Sequence, residues 1–357
     1  MGWVAKTAMV HSSAFPAAFQ SPSVHLTLLV PELIWPEPAD ERAFGRLAAP
    51  GFGWLAARAR CERHPRRAFE TALAAACGLA GAPCAPLRLL GEGDEAARAG
   101  FWLCADPVHL RFHSDRIALA DAGAFDLDDD EAGALVAALN AEFADLGEFC
   151  VGAAKRWYLR LHVAVDHPAE PISAVAGRRV DGRPLPLTRR LNEIQMFLHG
   201  HPVNEKRQAA GHPAVNSVWL WGGGTLPTAA AAPFSAIFAD HPLAAGLASH
   251  AGIPLHRRPD NLAALPGQAG ERPLVVLDEL LPRVACDDGD GWRAAFAKFD
   301  ADWLAPLVNR LGKGVDRVSL LAPTVYGELH YTLTGGDRWR FWKGSRALAD
   351  TARELAA

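Results

Sequence analysis

Much that would identify a function quickly is absent from this chain of 357 residues. There is no P-loop, no G-x-G-x-x-G after a strand, no H-E-x-x-H, no G-x-S-x-G and no C-x-x-C pair. The commonest nucleotide-binding, zinc-protease, serine-hydrolase and thiol-redox signatures are thereby removed. No apolar run approaches the roughly 18 residues of a membrane-spanning helix. The first residues hold one lysine and then mixed Ser, Phe and Pro where an export signal has an apolar core, and Lys6 stands where a myristoylation signal has Ser or Thr. A formal net charge of only −4 gives no global attraction to nucleic acid or to anionic lipid. The expectation is a protein that engages neither nucleic acid nor membrane. Its six cysteines (Cys61, Cys77, Cys84, Cys104, Cys150, Cys286) are scattered singly, and a reduced, cytoplasmic protein is the simplest reading.

What is present is a large apolar content, 50% of the residues, in a length that suits about two domains. After an arm over 1–23 without periodicity, Val24 to Val30 is a short apolar run closed by Pro31, as in a buried parallel strand. Phe69, Leu73 and Cys77 recur every four residues before Gly78, which predicts a helix over 65–77. Strand followed by helix opens an α/β pattern. Gly91 to Gly100 reads as a linker, and beyond it the texture changes to short strands over 101–103, 108–112 and 116–119. Asp128 and Glu131 form a capping box for a helix with Leu135, Leu139 and Phe143 on one face, and Arg156 to Val163 alternates as a strand. A second, α+β unit is the inference. Residues 166–187 form a long connection, and Ala229 to Ala232 is a low-complexity patch. Leu274 to Leu277 and Arg317 to Leu321 are further buried strands. Between them Trp292, Phe296, Phe299 and Trp303 form a helical core stripe, with Asp290 as cap and Pro306 at a kink or end. Tyr326 to Trp342 is aromatic and polar, and there is no internal repeat.

The densest chemistry lies between Asn192 and Gly224. On a helix Asn192, Gln195 and His199 share a face, and Pro202 ends that helix, so that His201 and Asn204 fall in the following turn. Arg207 is a better fork than Lys206 for a carboxylate or phosphate. The strand after it points Val215, Ser217, Trp219 and Trp221 one way and Asn216, Val218 and Leu220 the other. Gly222, Gly223 and Gly224 let a backbone come close to a ligand. Two readings stand level: a pocket for an anion, or a buried polar network that fixes one domain against the other with each amide satisfied. Arg178, Arg179, Arg183, Arg189 and Arg190 lack interleaved aromatics and read as a solvated loop.

His201-Pro202-Val203-Asn204, then Arg207, Gly211, Asn216, Trp219, Gly222 and Gly224, resemble the cofactor-independent phosphoglycerate mutases of the archaeal type. The bacterial relatives of that family include regulatory proteins of unknown activity. More faintly, Asp106 to Asp121 is similar to strands of the family's inserted domain and Asp278 to Asp300 to a segment of its metal-binding core. The resemblance implies an α/β fold with an alkaline-phosphatase-like core and a mostly parallel sheet, interrupted by a smaller inserted α+β domain. The implied division is core over 1–95, insertion over 96–225 and core again over 226–357. In active members two metal ions, manganese or zinc, activate a serine that carries the phosphoryl group between the hydroxyls of glycerate.

The departures lie where that chemistry would sit. A two-metal centre needs carboxylates and imidazoles converging at strand ends. Here Pro31-Glu32 follows the first strand where the family has Asp-Gly, Pro282 replaces the imidazole after Asp278-Glu279, and Ala322-Pro323 replaces Asp-His. Leu333 to Gly336 does not supply the missing final cluster, and Ser21 and Ser23 precede the first strand. Asp278, Glu279, Asp287, Asp288, Asp290 and His330 remain as candidate ligands, with Asp287 to Asp290 reading as a turn and cap. The leading expectation is a phosphoglycerate-mutase-like protein without catalytic residues, cofactor or metal, which binds a small anionic metabolite or a protein partner in a regulatory role. Its ligand residues are Asn192, Gln195, His199, His201, Asn204, Arg207, Asn216 and Gly222 to Gly224. The alternatives are an active mutase or phosphatase using manganese or zinc on rearranged ligands, and a structural interaction protein.

Overall fold

The computed structural model describes residues 23–113, 116–180, 185–228, 231–266 and 270–357. The N-terminal arm, including Ser21, lies outside them, as do Arg183 and part of the alanine patch. In chain order the strands are β1 (His25–Leu29), β2 (Arg60–His64), β3 (Phe101–His113), β4 (Arg116–Asp121), β5 (Gly147–Ala153), β6 (Arg156–Leu161), β7 (Arg179–Val180), β8 (Ser217–Gly224), β9 (Ala236–Phe238), β10 (Leu255–His256), β11 (Pro273–Val276), β12 (Arg317–Thr324) and β13 (Gly327–Thr334).

They form two sheets. The first has the order β10-β9-β11-β1-β12-β13-β2. From β10 to β12 every neighbour is parallel, and β13 and β2 close the sheet antiparallel. The second is antiparallel, with the order β5-β6-β3-β4-β7 and β8 paired to β3. All of it is drawn from 101–224, between β2 and β9 of the first. The chain is thus a mixed α/β protein with a mostly parallel sheet and a separate antiparallel one.

Side-chain alternation explains the layering. In β1, Leu26 and Leu28 pack on one face with Val275, Leu320, Trp292 and Phe296, while Leu29 joins Leu274, Val276 and Ile237 on the other. A parallel sheet buried on both faces needs such continuous apolar runs. The second face is covered by the helices Cys84–Gly91 and Pro242–Ala251, and their cluster continues into Trp102, Cys104, Tyr158 and Trp221 of the antiparallel sheet. The two sheets therefore share one apolar layer. The opposite face of the antiparallel sheet is covered by the helices Asp129–Glu142 and Thr188–His199.

Several expectations change in detail. The two short strands over 101–103 and 108–112 are one strand, β3. Its Pro107 falls between the stretch paired with β6 and the stretch paired with β4, where no strand on that side needs the missing N–H. Pro202 ends one helix but also begins another, Pro202–Ala209, so Asn204 is helical and not in a turn. Proline at the first helical position loses no intrahelical bond. Asp288, not Asp290, caps the helix Gly289–Phe299, accepting from Gly291 N at 2.8 Å. Pro306 neither kinks this helix to a stop nor ends it, because the chain passes through a π-helical turn at Asp300–Leu304 into Ala305–Arg310. No helix among the described residues is long and apolar enough to cross a membrane.

Candidate functional site

Within the motif from Asn192 to Gly224, the polar atoms of Asn204, Arg207 and Asn216 are turned to protein. Asn204 is fully buried. Its Nδ2 donates to Leu198 O at 2.8 Å and Val215 O at 2.9 Å, and its Oδ1 accepts from Val215 N at 2.8 Å. Arg207, also buried, donates to Pro213 O at 2.9 Å and Asp126 O at 2.5 Å, pairs with Glu131, and lies over the Phe125 ring. Asn216 continues the β8 ladder with its side chain, accepting from Leu110 N at 2.7 Å and donating to Leu110 O at 2.9 Å. His201 caps its helix by accepting from Val203 N. Gly222 and Gly224 have φ of 64° and 156°, and added Cβ atoms would meet Cys84 Cβ at 3.2 Å and Pro83 Cβ at 2.5 Å. A Cβ on Gly223 would meet Leu103 at 2.6 Å. Gly222 and Gly224 let β8 lie against Pro83 and the start of the helix Cys84–Gly91, and Gly223 lets it lie against Leu103 of β3. Asn192 and His199 are exposed on the helix before Pro202, with Gln195 half-buried between them. The geometry gives Asn204, Arg207 and Asn216 the work of fastening β8, two helices and the loop at Asp126.

The other candidates lie at the ends of the parallel strands and around the helix Gly289–Phe299, and most of the carboxylates are paired with a cation. Glu32, after β1, is 5% exposed, has φ of 54°, and pairs with Arg178 at 2.6 Å; its Oε2 has no partner. Burial raises the Glu32 carboxyl above its usual range, and Arg178 opposes this. Glu279, after β11, pairs with Arg258 at 2.5 Å, and Asp278 beside it is raised by burial. Asp287 pairs with Arg42, Asp288 with Arg283, Asp290 with Arg293, and Glu328 with both Arg67 and His330. Among the described residues no group of three or more His, Cys, Asp or Glu is gathered to hold a metal ion. At the end of β1 the Glu32 carboxylate meets the Arg178 guanidinium. Arg189 and Arg190 pair with Glu193, as a solvated helix face does, and the Arg179 and Arg183 side chains lie outside what is described.

The strongest concentration of buried charge lies elsewhere, between the two sheets. A cavity of about 140 Å³ is lined by Glu70, Arg88, Asp106, Lys155, Arg156, Trp221 and His241, with Gly123 and Ile172. Arg88 comes from the apolar helix Cys84–Gly91 and is 4% exposed. It donates to both oxygens of Asp106 at 2.9 and 2.6 Å and to Tyr158 Oη at 2.9 Å. Its guanidinium lies 4.7 Å from the Tyr158 ring centre and 5.3 Å from that of Trp221. Trp221 Nε1 donates to Asp106 at 2.7 Å, and Tyr158 donates to Glu92, which also holds Arg156 at 2.5 Å. Arg156 commits Nε and Nη2 to Glu92, and among the described residues Nη1 has no hydrogen-bond partner. Among the described residues Lys155 pairs only with Asp126, at 3.8 Å. Burial raises Glu70 toward the neutral acid, against a hydrogen bond from Ser173. The lining is therefore net positive: charge counts for more at the buried Arg88–Asp106 pair, while Lys155 and Arg156 are each 38% exposed.

His241 Nδ1 accepts from Leu243 N at 3.2 Å, which puts the proton of the neutral ring on Nε2. Burial, then Arg88 and Arg156, push its pKa down to about 3. The unfolded chain then binds the extra proton between pH 6.5 and 3, so this group contributes stability above pH 6.5 that is lost as pH falls. His241→Asn keeps a cap acceptor and removes the titration. Because His241 lines the cavity and is only partly buried, solvent screens part of the effect. From pH 7 to 5 the variant should lose about 1 kcal/mol less than the parent, as read from urea midpoints. Equal losses would show that the ring stays hydrated.

Sequence reading missed this cavity. A lone arginine among leucines, Cys84-Ala85-Pro86-Leu87-Arg88-Leu89-Leu90, was its one signal, since a charge on an apolar helix face needs a buried partner.

No family model matches this chain, and no curated protein does. Among solved structures it is similar to a cofactor-independent phosphoglycerate mutase from Thermoplasma acidophilum DSM 1728, at 16% identity and a TM-score of 0.42, covering 92% of this chain and 94% of that one. It is also similar to a protein from Pyrococcus horikoshii, at 15% identity and a TM-score of 0.47, over 92% of each chain.

Proposed function

We propose that this chain is a divergent phosphoglycerate-mutase-like protein that binds a small anionic metabolite without a two-metal centre, and that the anion enters the cavity between the two sheets. The observation that carries this is the lining: Lys155 and Arg156 face a cavity beside Glu70, whose carboxyl burial pushes toward neutrality. A volume of about 140 Å³ suits a phosphate-sized or carboxylate-sized group, since whole drug-sized ligands need several hundred Å³. Arg88 commits four of its five N–H groups to Asp106, Tyr158 and Trp157. It fixes the wall rather than the ligand. Support for the distant relation comes from the His201 to Gly224 motif and from the interruption of a parallel sheet by residues 101–224.

Titration calorimetry with inorganic phosphate and with 3-phosphoglycerate tests the reading. Binding is expected for at least one of them, weakened about tenfold in Lys155→Ala, as loss of one charge-assisted contact would give. No heat from either anion, or equal affinity in the variant, sinks it. Interconversion of 3- and 2-phosphoglycerate with added manganese, abolished by a chelator, would instead establish the metal-dependent enzyme. One specific observation favours a structural role for the motif itself: the complete internal pairing of Asn204 and Arg207.

A further inference from the structure

The run Asp337-Arg338-Trp339-Arg340-Phe341-Trp342-Lys343 alternates cations with large aromatics and takes no part in the cavity. Trp339, Phe341 and Trp342 are 66%, 81% and 70% exposed. A fixed backbone holds them there. Arg58, buried against Trp54, donates to Gly344 O at 3.0 Å, and Arg340 donates to Arg58 O at 3.1 Å. Arg346 N donates to Gly53 O at 3.0 Å, and Arg338 reaches Leu311 O at 3.3 Å. The segment is thus strapped to the helix Pro50–Arg58 and to the turn after Arg310, with its rings outside. Over 335–346 stand four cations, of which Arg340 pairs with Asp337 and Arg346 with Glu354, leaving the charges of Arg338 and Lys343 in excess. Lys313 in the adjoining turn is exposed as well. The sign is opposite to that of the chain as a whole, so the bulk charge does not describe this patch.

We infer that this segment docks the protein on the surface of an anionic lipid bilayer, with the three rings in the headgroup layer and the cations against lipid phosphates. Tryptophan and phenylalanine favour that layer, and basic side chains beside them are attracted to anionic lipid. The contact is peripheral, since no described helix crosses a membrane. Charge alone would also fit single-stranded nucleic acid, but base stacking needs open ring faces. Phe341 and Trp342 stand edge to face at 5.4 Å and 81°, and Arg338 covers Trp339 at 5.0 Å. The rings are disposed for insertion.

The test is co-sedimentation of the full chain with phosphatidylcholine vesicles containing about one third phosphatidylserine, compared with phosphatidylcholine alone. The parent should bind the anionic vesicles, and the neutral ones about tenfold less. Raised salt should release it. Trp339→Ser/Phe341→Ser/Trp342→Ser should lower binding about tenfold while keeping the parent melting curve, because the side chains it removes are already in water. Lys343→Glu should lower it with the rings intact. The inference is overturned if the parent does not sediment with anionic vesicles, or if the folded triple variant binds as the parent does. It is equally overturned if a single-stranded oligonucleotide is bound and the vesicles are not.

Discussion

Replacing Arg88 with alanine is expected to destabilise the folded chain by about 3–5 kcal/mol, the range measured when one partner of a buried ion pair is removed. Asp106 would be left buried with Trp221 Nε1 as its remaining side-chain donor, and Tyr158 and the Trp157 carbonyl would each lose a partner. Truncation would also empty the space where the guanidinium meets the Tyr158 and Trp221 rings. Arg88 comes from a helix that covers the parallel sheet, and its partners belong to β3, β6 and β8 of the antiparallel one, so the loss falls on the seam between them. The double variant Arg88→Met/Asp106→Leu should recover part of the loss, because removing both charges removes the uncompensated one. Urea midpoints of the parent, both single variants and the double variant make the measurement. A loss below about 1 kcal/mol for Arg88→Ala would mean that water reaches the pair and that the cavity is not desolvated.

Asn204→Leu is expected to cost about 2–4 kcal/mol, from one amide and two carbonyls stranded in a site without water. The side chain joins Leu198, at the end of one helix, to Val215, just before β8, from a position inside the next helix. Asn204→Asp should fare little better, since it keeps the acceptor for Val215 N but presents a carboxylate to two carbonyls. The discriminating readout is anion affinity, measured on folded protein below the transition. If Asn204 holds structure, affinity for inorganic phosphate is unchanged while stability falls. Preserved stability with lost affinity would return the motif to the role of a ligand grip.

The contrast between these two sites explains how much could be read in advance. The His201 to Asn216 stretch drew attention because amides, imidazoles and an arginine crowd together within a few turns of chain. Asn204 finds its partners only 6 and 11 residues away, whereas Arg207 and Asn216 of the same stretch reach Asp126 and Leu110 across 81 and 106 residues. The cavity is assembled from residues far apart, with Arg88 bonding Asp106 and Tyr158, and Trp221 reaching Asp106 across 115 residues. Nothing local marks such a site except the cost of an unpartnered charge on an apolar helix.

Hydrophobic pattern was sufficient for some of the elements. Apolar runs at β1, β11 and β12, bounded by prolines and carboxylates, specify strands buried on both faces, and the Asp128 to Glu131 box fixes a helix start with a 2.7 Å bond. The stripe Trp292, Phe296, Phe299, Trp303 is core, as its spacing required. These are local determinants, set by backbone geometry and by which side chains water rejects. Only the tertiary structure decided which polar groups have a partner. It turned Asn204, Arg207 and Asn216 inward, set Arg178 on Glu32, left Lys155 and one edge of Arg156 facing a cavity, and held Trp339, Phe341 and Trp342 out in solvent. A sequence states which groups can donate, accept or carry charge. Whether each is satisfied depends on where distant segments come to rest, and that is settled when the two sheets close on one shared layer.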